Sequence, residues 1–194
     1  YGIVGDGKAD DTAAIQAAIA DMKQRLTFGI VYLPEGKYLI SDTIYIPKAV
    51  RLIGYGVNRP EIILKEYAPG YDREHPDDKG KSKYMIWFVG KLPDGSGTIV
   101  DANPGTFYSA LSNIDLTIGA GNPYAVAVHS HFAQHGFIAH SRIDATHGRA
   151  GVYDIGNEME DVTFIGGDYG IHTTKPSPGW PFVMVDCTFE GQRK

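Results

Sequence analysis

The side chains best equipped for chemistry gather in the second half of the chain. Of seven histidines, His129, His131, His135, His140 and His147 crowd one stretch, and His172 follows. Around them lie the carboxylates Asp154, Glu158, Glu160, Asp168 and Glu190, the cations Arg149 and Lys175, and Gln134, Tyr153 and Trp180. Imidazole, amide and aromatic groups together suit saccharides, whose hydroxyls need polar partners and whose C–H faces need flat apolar ones. Two carboxylates facing across a glycosidic bond would add hydrolysis, at about 5 Å for retention or about 6.5–9.5 Å for inversion. Asp154 and Glu158 are the pair expected to do this. His129, His131, Gln134, Tyr153, His172, Lys175 and Trp180 are expected to touch the sugar. A lyase would instead need a basic side chain beside an acidic sugar, for which Arg149 and Lys175 are available; the acidic balance of the chain disfavours a polyanionic substrate. Each carboxylate also has a structural role open to it, capping a turn or pairing with Arg149 or Lys175. Trp180, stiffened by Pro178 and Pro181, fits either a sugar platform or a cover over a core edge.

Metal and cofactor chemistry is not expected. His129-Ser130-His131 on a strand can present two imidazoles on one face, but zinc wants a third convergent ligand at an ordered spacing. Calcium needs clustered carboxylates, and Asp77-Asp78 falls in a polar stretch that reads as a solvated loop. The net charge of −5 and the absence of a basic stripe exclude a nucleic-acid partner. No apolar run is long enough to span a membrane as a helix. The single cysteine, Cys187, rules out an intramolecular disulfide.

These residues must be positioned by short strands. After about residue 26 the helical pattern fades into apolar runs separated by Gly, Pro, Asn and Asp, which favours an all-β architecture. Asn113-Ile114-Asp115-Leu116, His140-Ser141-Arg142-Ile143, Asp161-Val162-Thr163-Phe164 and Asp186-Cys187-Thr188-Phe189 share one pattern. Between Leu116, Ile143, Phe164 and Phe189 the intervals are 27, 21 and 25 residues. A second set, Ala125–Val128, Gly151–Tyr153 and Gly170–His172, alternates with the first. That order is what parallel coils stacked at about 4.8 Å would produce. If Val126 and Val128 point inward, then Ala125, Ala127, His129 and His131 face out, with Tyr153 and His172 in the column of Ala127. The same alternation turns Asp154 inward with Val152 unless the strand ends at Tyr153.

The first forty residues point the same way. Tyr1-Gly2, Gly5-Asp6-Gly7 and Asp10-Asp11-Thr12 lead into an amphipathic stretch with apolar Ile15, Ala18, Ile19, Met22 and Leu26, one helical stripe. Asp10 or Asp11 can cap its free N–H groups. Ile30–Pro34, Gly36 and Tyr38–Ile40 follow as strands. A helix this short must bury its stripe, and covering the open end of a β-stack is a use for it. This segment, with Leu52-Ile53-Gly54-x-Gly56, resembles the lead-in of the pectate-lyase-like superfamily. The resemblance implies a mainly β fold, a right-handed parallel β-helix with an N-terminal capping helix at about residues 11–25. Ser109–Gly119, Gly121-Asn122-Pro123 and Ala133-Gln134 look similar to the first β-helix of the β-1,3-glucanase group. There, the likeness implies, two β-helices pack side by side and the catalytic acid lies in the second; none of its catalytic residues matches a position here.

The expected organisation is one β-helix over 1–194: lead-in and cap to residue 40, irregular early rungs over 41–110 with a polar excursion near 65–83, and regular rungs over 111–191. The chain reads as the N-terminal portion of a longer protein, with a downstream domain as a possible partner. The expected activity is a polysaccharide-degrading glycoside hydrolase, exported to the periplasm, cell surface or medium. The alternatives are a pectate-type lyase and a non-catalytic carbohydrate-binding or tailspike-type module.

Overall fold

The computed structural model describes residues 1–177 and 182–194, with the backbone alone for 174–177. Strand β1 (Asp6–Asp10) and helix α1 (Thr12–Leu26) precede β2 (Gly29–Pro34), β3 (Lys37–Ile40), β4 (Ile44–Pro47), β5 (Val50–Tyr55), β6 (Glu61–Leu64) and β7 (Lys83–Val89). Then come β8 (Ala110–Ser112), β9 (Asp115–Ile118), β10 (Ala125–His129), β11 (Phe137–Asp144), β12 (Ala150–Gly156), β13 (Glu158–Ile165), β14 (Tyr169–Ser177), β15 (Val183–Val185) and β16 (Thr188–Glu190). Every ladder between these strands is parallel. Parallel neighbours need crossover connections, and here each crossover is one circuit of the coil.

The circuits stack strands into three columns. The first holds β2, β5, β8, the start of β11, the start of β13, and β15. The second holds β3, β6, β9, the ends of β11 and β13, and β16. The third is the five-stranded sheet β4-β7-β10-β12-β14. The expected repeat is real: Leu116 aligns with Ile143, Ile143 with Phe164, and Phe164 with Phe189. Inside the coil Leu52, Leu111, Ile138 and Met159 form one fully buried file, and Ile62, Leu116, Ile143 and Phe164 another. Each such side chain contributes about 1.5–3 kcal/mol by leaving water.

The polar residue that opens each repeat has a backbone reason. Asn113, His140, Asp161 and Asp186 all take left-handed angles, with φ of 56°, 51°, 50° and 51°, at the corner between the first and second columns. Asn and Asp tolerate that region better than most side chains. Asn113 Nδ2 donates to the Gly54 carbonyl at 3.0 Å, and the His140 ring meets Asp161 at 3.0 Å. Gly54 stands one coil above Asn113, where an added Cβ would lie 1.8 Å from the Asn113 oxygen.

Helix α1 buries Ile15, Ala18, Ile19 and Met22 as expected, while Leu26 at the end of the stripe is 61% exposed. The expected capping is corrected at Asp11. Its carboxylate turns back to accept from the Val4 and Gly5 N–H groups at 2.7 and 3.0 Å, fixing the lead-in. Asp10 accepts from the Thr12 N–H at 3.0 Å. Gly7 takes φ 73° within β1, beside β3. Gln16 reaches from the helix to the edge strand β4, accepting from the Tyr45 N–H at 2.8 Å and donating to its carbonyl at 3.0 Å. A side-chain amide thus occupies the hydrogen bonds that another strand would seek.

Gly54→Ala should cost about 3 kcal/mol, because coil spacing must open to admit the methyl group. Urea unfolding measures it, and an unchanged midpoint would contradict the close stacking at that corner.

A candidate carbohydrate site on the third column

The third column departs from strict alternation. Outward positions fall three apart: Tyr84 and Trp87, Val126 and His129, Ala150 and Tyr153, Tyr169 and His172. Tyr84, Val126, Ala150 and Tyr153 form an apolar cluster of their own, joined by Trp87 and Tyr169. Ala127, Val128, Val152 and Ile171 belong to the interior. The strands β7, β10, β12 and β14 therefore turn two successive residues toward the core, while β4 alternates. The expected column containing Ala127 is corrected for this reason. Register instead aligns Tyr45, Trp87, His129, Tyr153 and His172. Tyr153 and His172 are neighbours as expected, with ring centroids 5.5 Å apart.

The 65–83 excursion roofs the middle of this column. Tyr71 is buried and donates its hydroxyl to the Tyr84 carbonyl at 2.9 Å. The Tyr84 hydroxyl donates to Asp78, and the Arg149 guanidinium to the Lys81 carbonyl at 3.3 Å. Gly80 lies so close that an added Cβ would sit 3.0 Å from the Tyr153 ring. His129 and Tyr153 are consequently 4% and 1% exposed, so the expectation that they touch the sugar directly does not fit their placement. Tyr45, Trp87, His131, His172 and Thr173 remain open to solvent at either side of the roof. Beside Tyr45 and Trp87, a groove of about 510 Å³ is walled by Arg73, His75, Asp77 and Lys83.

Asp101 was not anticipated. It sits in the long connection between β7 and β8, where the Gly90 N–H bonds the Val100 carbonyl at 2.8 Å and the Ala102 N–H the Phe88 carbonyl at 3.2 Å. That clamp presents its carboxylate to the Trp87 indole N–H at 2.8 Å and to His131 Nδ1 at 3.2 Å. His129 Nε2 stands at 3.6 Å, too long for a hydrogen bond. Burial works to raise the Asp101 pKa, but the His131 bond, the nearby His129 imidazole and the indole N–H outweigh it and hold it below the ordinary range. The Asp101 hydrogen bond lifts the His131 pKa above its usual value against the opposing effect of burial. Burial depresses the pKa of His129 and, with Arg149, that of His172, so both rings stay neutral near pH 7. Burial and neighbouring carboxylates push the Tyr153 hydroxyl up to about 12.

Asp154 and Glu158 are not brought together. Asp154 takes φ 40° at an irregular step in β12, accepts from the Thr173 hydroxyl at 3.2 Å, and acts electrostatically on His129, His131 and His172. It joins the third column, not the interior that strict alternation implied. Glu158 opens β13 on the first column, exposed beside Phe137, His140 and Glu160. Their separation onto different faces contradicts their pairing across a scissile bond. Gln134 lies in the turn after His131, its backbone carbonyl accepting from the Tyr108 N–H at 3.2 Å. Trp180 and the Lys175 side chain lie outside the described residues. Among the described residues no group of three or more His, Cys, Asp or Glu side chains is arranged to hold a metal ion. No helix of the described chain is long and apolar enough to cross a membrane.

Coiled parallel columns define a parallel β-helix protein, and the match to a family model places it in the pectate-lyase-like superfamily. Within it, the chain belongs to the family described as rhamnogalacturonase A/epimerase, pectate lyase-like, whose model matches residues 1–194. A probable glucan endo-1,3-beta-glucosidase of Arthroderma benhamiae is 28% identical over 189 residues, 88% of this chain and 20% of that protein. Alginate lyase 7 of Azotobacter vinelandii is 38% identical over 81 residues, 38% of this chain and 9% of that one. The chain spans a fifth or less of the length of the first of these curated relatives. Among solved structures, ORF18 of Geobacillus virus E2 superposes with a TM-score of 0.58 at 20% identity, over 97% of this chain and 35% of that one. The surface adhesin PfbA of Streptococcus pneumoniae gives 0.52 at 18% identity, over 96% and 55%. These likenesses carry the fold.

Asp101→Asn should lower the His131 pKa toward its ordinary value, read from an NMR titration of the ring. The depressed Asp101 pKa gives stability that is present above the unfolded carboxylate range and lost as pH falls through the folded value. The raised His131 pKa gives stability that is full below the unfolded value and lost as pH rises through the folded one. The pair is therefore tightest in the mildly acidic window between them, and a His131 titration unmoved by the substitution would refute the coupling.

Proposed function

We propose that this chain forms part of the saccharide-binding groove of an exported, polysaccharide-degrading glycoside hydrolase. The observation that carries the reading is the Tyr45–Trp87–His129–Tyr153–His172 file flanked by Asp101 and Asp154. The partly exposed rings of Tyr45 and Trp87 suit the apolar side of a pyranose ring, and His131, His172 and Thr173 suit its hydroxyls. In this reading Asp154, itself only 6% exposed, is the carboxylate that acts on the glycosidic bond, from its place beside the exposed Thr173. Asp101 is a second carboxylate that favours the protonated form of His131 and orients the ring. His129 and Tyr153 support the strip from beneath. Relatives named for glucan and alginate chemistry are consistent with a carbohydrate polymer as substrate. The remainder of the site is assigned to chain outside these residues, in keeping with the small share of its relatives that they cover.

One observation favours a second reading, β-elimination from an acidic sugar. His172 is partly exposed, its Nδ1 has no hydrogen-bond partner among the described residues, and Arg149 lies near this neutral ring. A neutral base beside a cation is what removal of a proton next to a carboxylate needs.

Product analysis separates the two. Hydrolysis gives new reducing ends with no ultraviolet-absorbing product; elimination gives an unsaturated, absorbing one. With the full-length protein, Asp154→Asn should lower turnover by about 100-fold or more with little change in melting temperature, since Asn accepts the same backbone angles. Undiminished turnover in that variant would remove Asp154 from the reaction.

A further inference from the structure

The outward face of the first column lies apart from the strip described above. Its register sets Ile30, Arg51, Ala110, Phe137, Glu158 and Val183 in one file, and Tyr32, Ile53, Ser112, Ala139, Glu160 and Val185 in the next. Tyr55 lies two positions beyond Ile53 on β5. Aromatic side chains are left in water here to an unusual extent: Tyr32 is 60% exposed, Tyr55 70% and Tyr108 50%. Tyr32 and Tyr55 meet edge to face with centroids 6.5 Å apart. Tyr108 lies flat on His135 at 4.8 Å, and Arg51 packs over Phe137 while donating to the Tyr108 carbonyl. Tyr32 and Tyr55 are therefore held on a parallel sheet, and Tyr108, in the connection just before β8, is fixed by its stack on His135.

Two hollows follow the face. One of about 490 Å³ is lined by Phe28, Ile30, Ala49, Arg51 and Tyr108. The other, of about 440 Å³, is lined by Ser112, Phe137, His140, Glu158 and Glu160. A contiguous exposed apolar patch marks a binding surface, and the charges on it select the occupant. Glu158 and Glu160 project from the same side of β13, two residues apart, and both are exposed. A protein pressed over them would strip water from two like charges, at a large desolvation cost unless it supplied cations. A sugar chain offsets that cost, because each of its hydroxyls can donate to the carboxylates in place of water. Arg51 is the one cation in the two files, so their formal charge is one positive against two negative. That balance repels a polyanionic glycan and admits a neutral one.

We propose that the first column is a second carbohydrate-binding surface, for a neutral polysaccharide strand that stacks on Tyr32, Tyr55 and Tyr108 and hydrogen-bonds Glu158 and Glu160. It does not depend on the groove of the third column being catalytic. Glu158 has its place here, as a hydroxyl acceptor.

The test uses the full chain, affinity electrophoresis and three soluble neutral polymers, laminarin, dextran and xylan, with polygalacturonate as the polyanion. The parent should be retarded by at least one neutral polymer and not through this face by polygalacturonate. Tyr32→Ala combined with Tyr55→Ala should weaken the neutral interaction about tenfold or more, with the melting temperature held, since both rings are exposed. Trp87→Ala, on the other column, should leave that component in place. Retardation equal in the double variant and the parent would overturn the proposal, as would a parent that none of the three neutral polymers retards. Light scattering decides the remaining rival: a dimer that the double variant dissociates would assign the face to a second copy of the chain instead.

Discussion

Parallel pairing of each coil with the next is the constraint on which the molecule depends. A single coil cannot bury its own apolar side or satisfy its own backbone; both needs are met only by a neighbour in register. Register then decides what faces what, because a shift of one residue would exchange core and surface along a whole strand. The files of Leu, Ile and Phe inside the coil and the left-handed corners at Asn113, His140, Asp161 and Asp186 act together to prevent such a shift. Corner and core are one device: the corner sets where a strand starts, and the buried file rewards only that start.

Much of this was legible in the residues. The repeat of Leu116, Ile143, Phe164 and Phe189 could be read directly, since a large apolar residue recurs after a polar corner whatever the loop length between. The helix and its buried stripe were legible for the same reason, as period and composition agreed. What could not be read was the third column's spacing. Period-two reasoning assumes a flat strand, and the strands carrying Ala127-Val128 and Gly151-Val152 send consecutive residues inward. That single irregularity moved His129 into line with Tyr153, and Ala127 out of it. Asp101 left no signal either. It belongs to a connection without periodicity, and only the backbone clamp to Phe88 and Gly90 brings it against Trp87 and His131.

The polar excursion shows why composition alone misjudges a segment. Residues 65–83 have too few apolar side chains to form a core, yet Ala68 and Tyr71 are buried with the main one. The excursion borrows a core from the sheet it covers. Covering His129 and Tyr153 also gives the third column a dry, low-dielectric floor, where the carboxylates and imidazoles perturb one another more strongly than they would in water.

Gln16 has a consequence for growth of the fold. By meeting both backbone groups of Tyr45, it terminates the ladder at that side, as a cap on a screw stops a nut from travelling off. Duplication or loss of a whole winding farther along leaves that stop untouched.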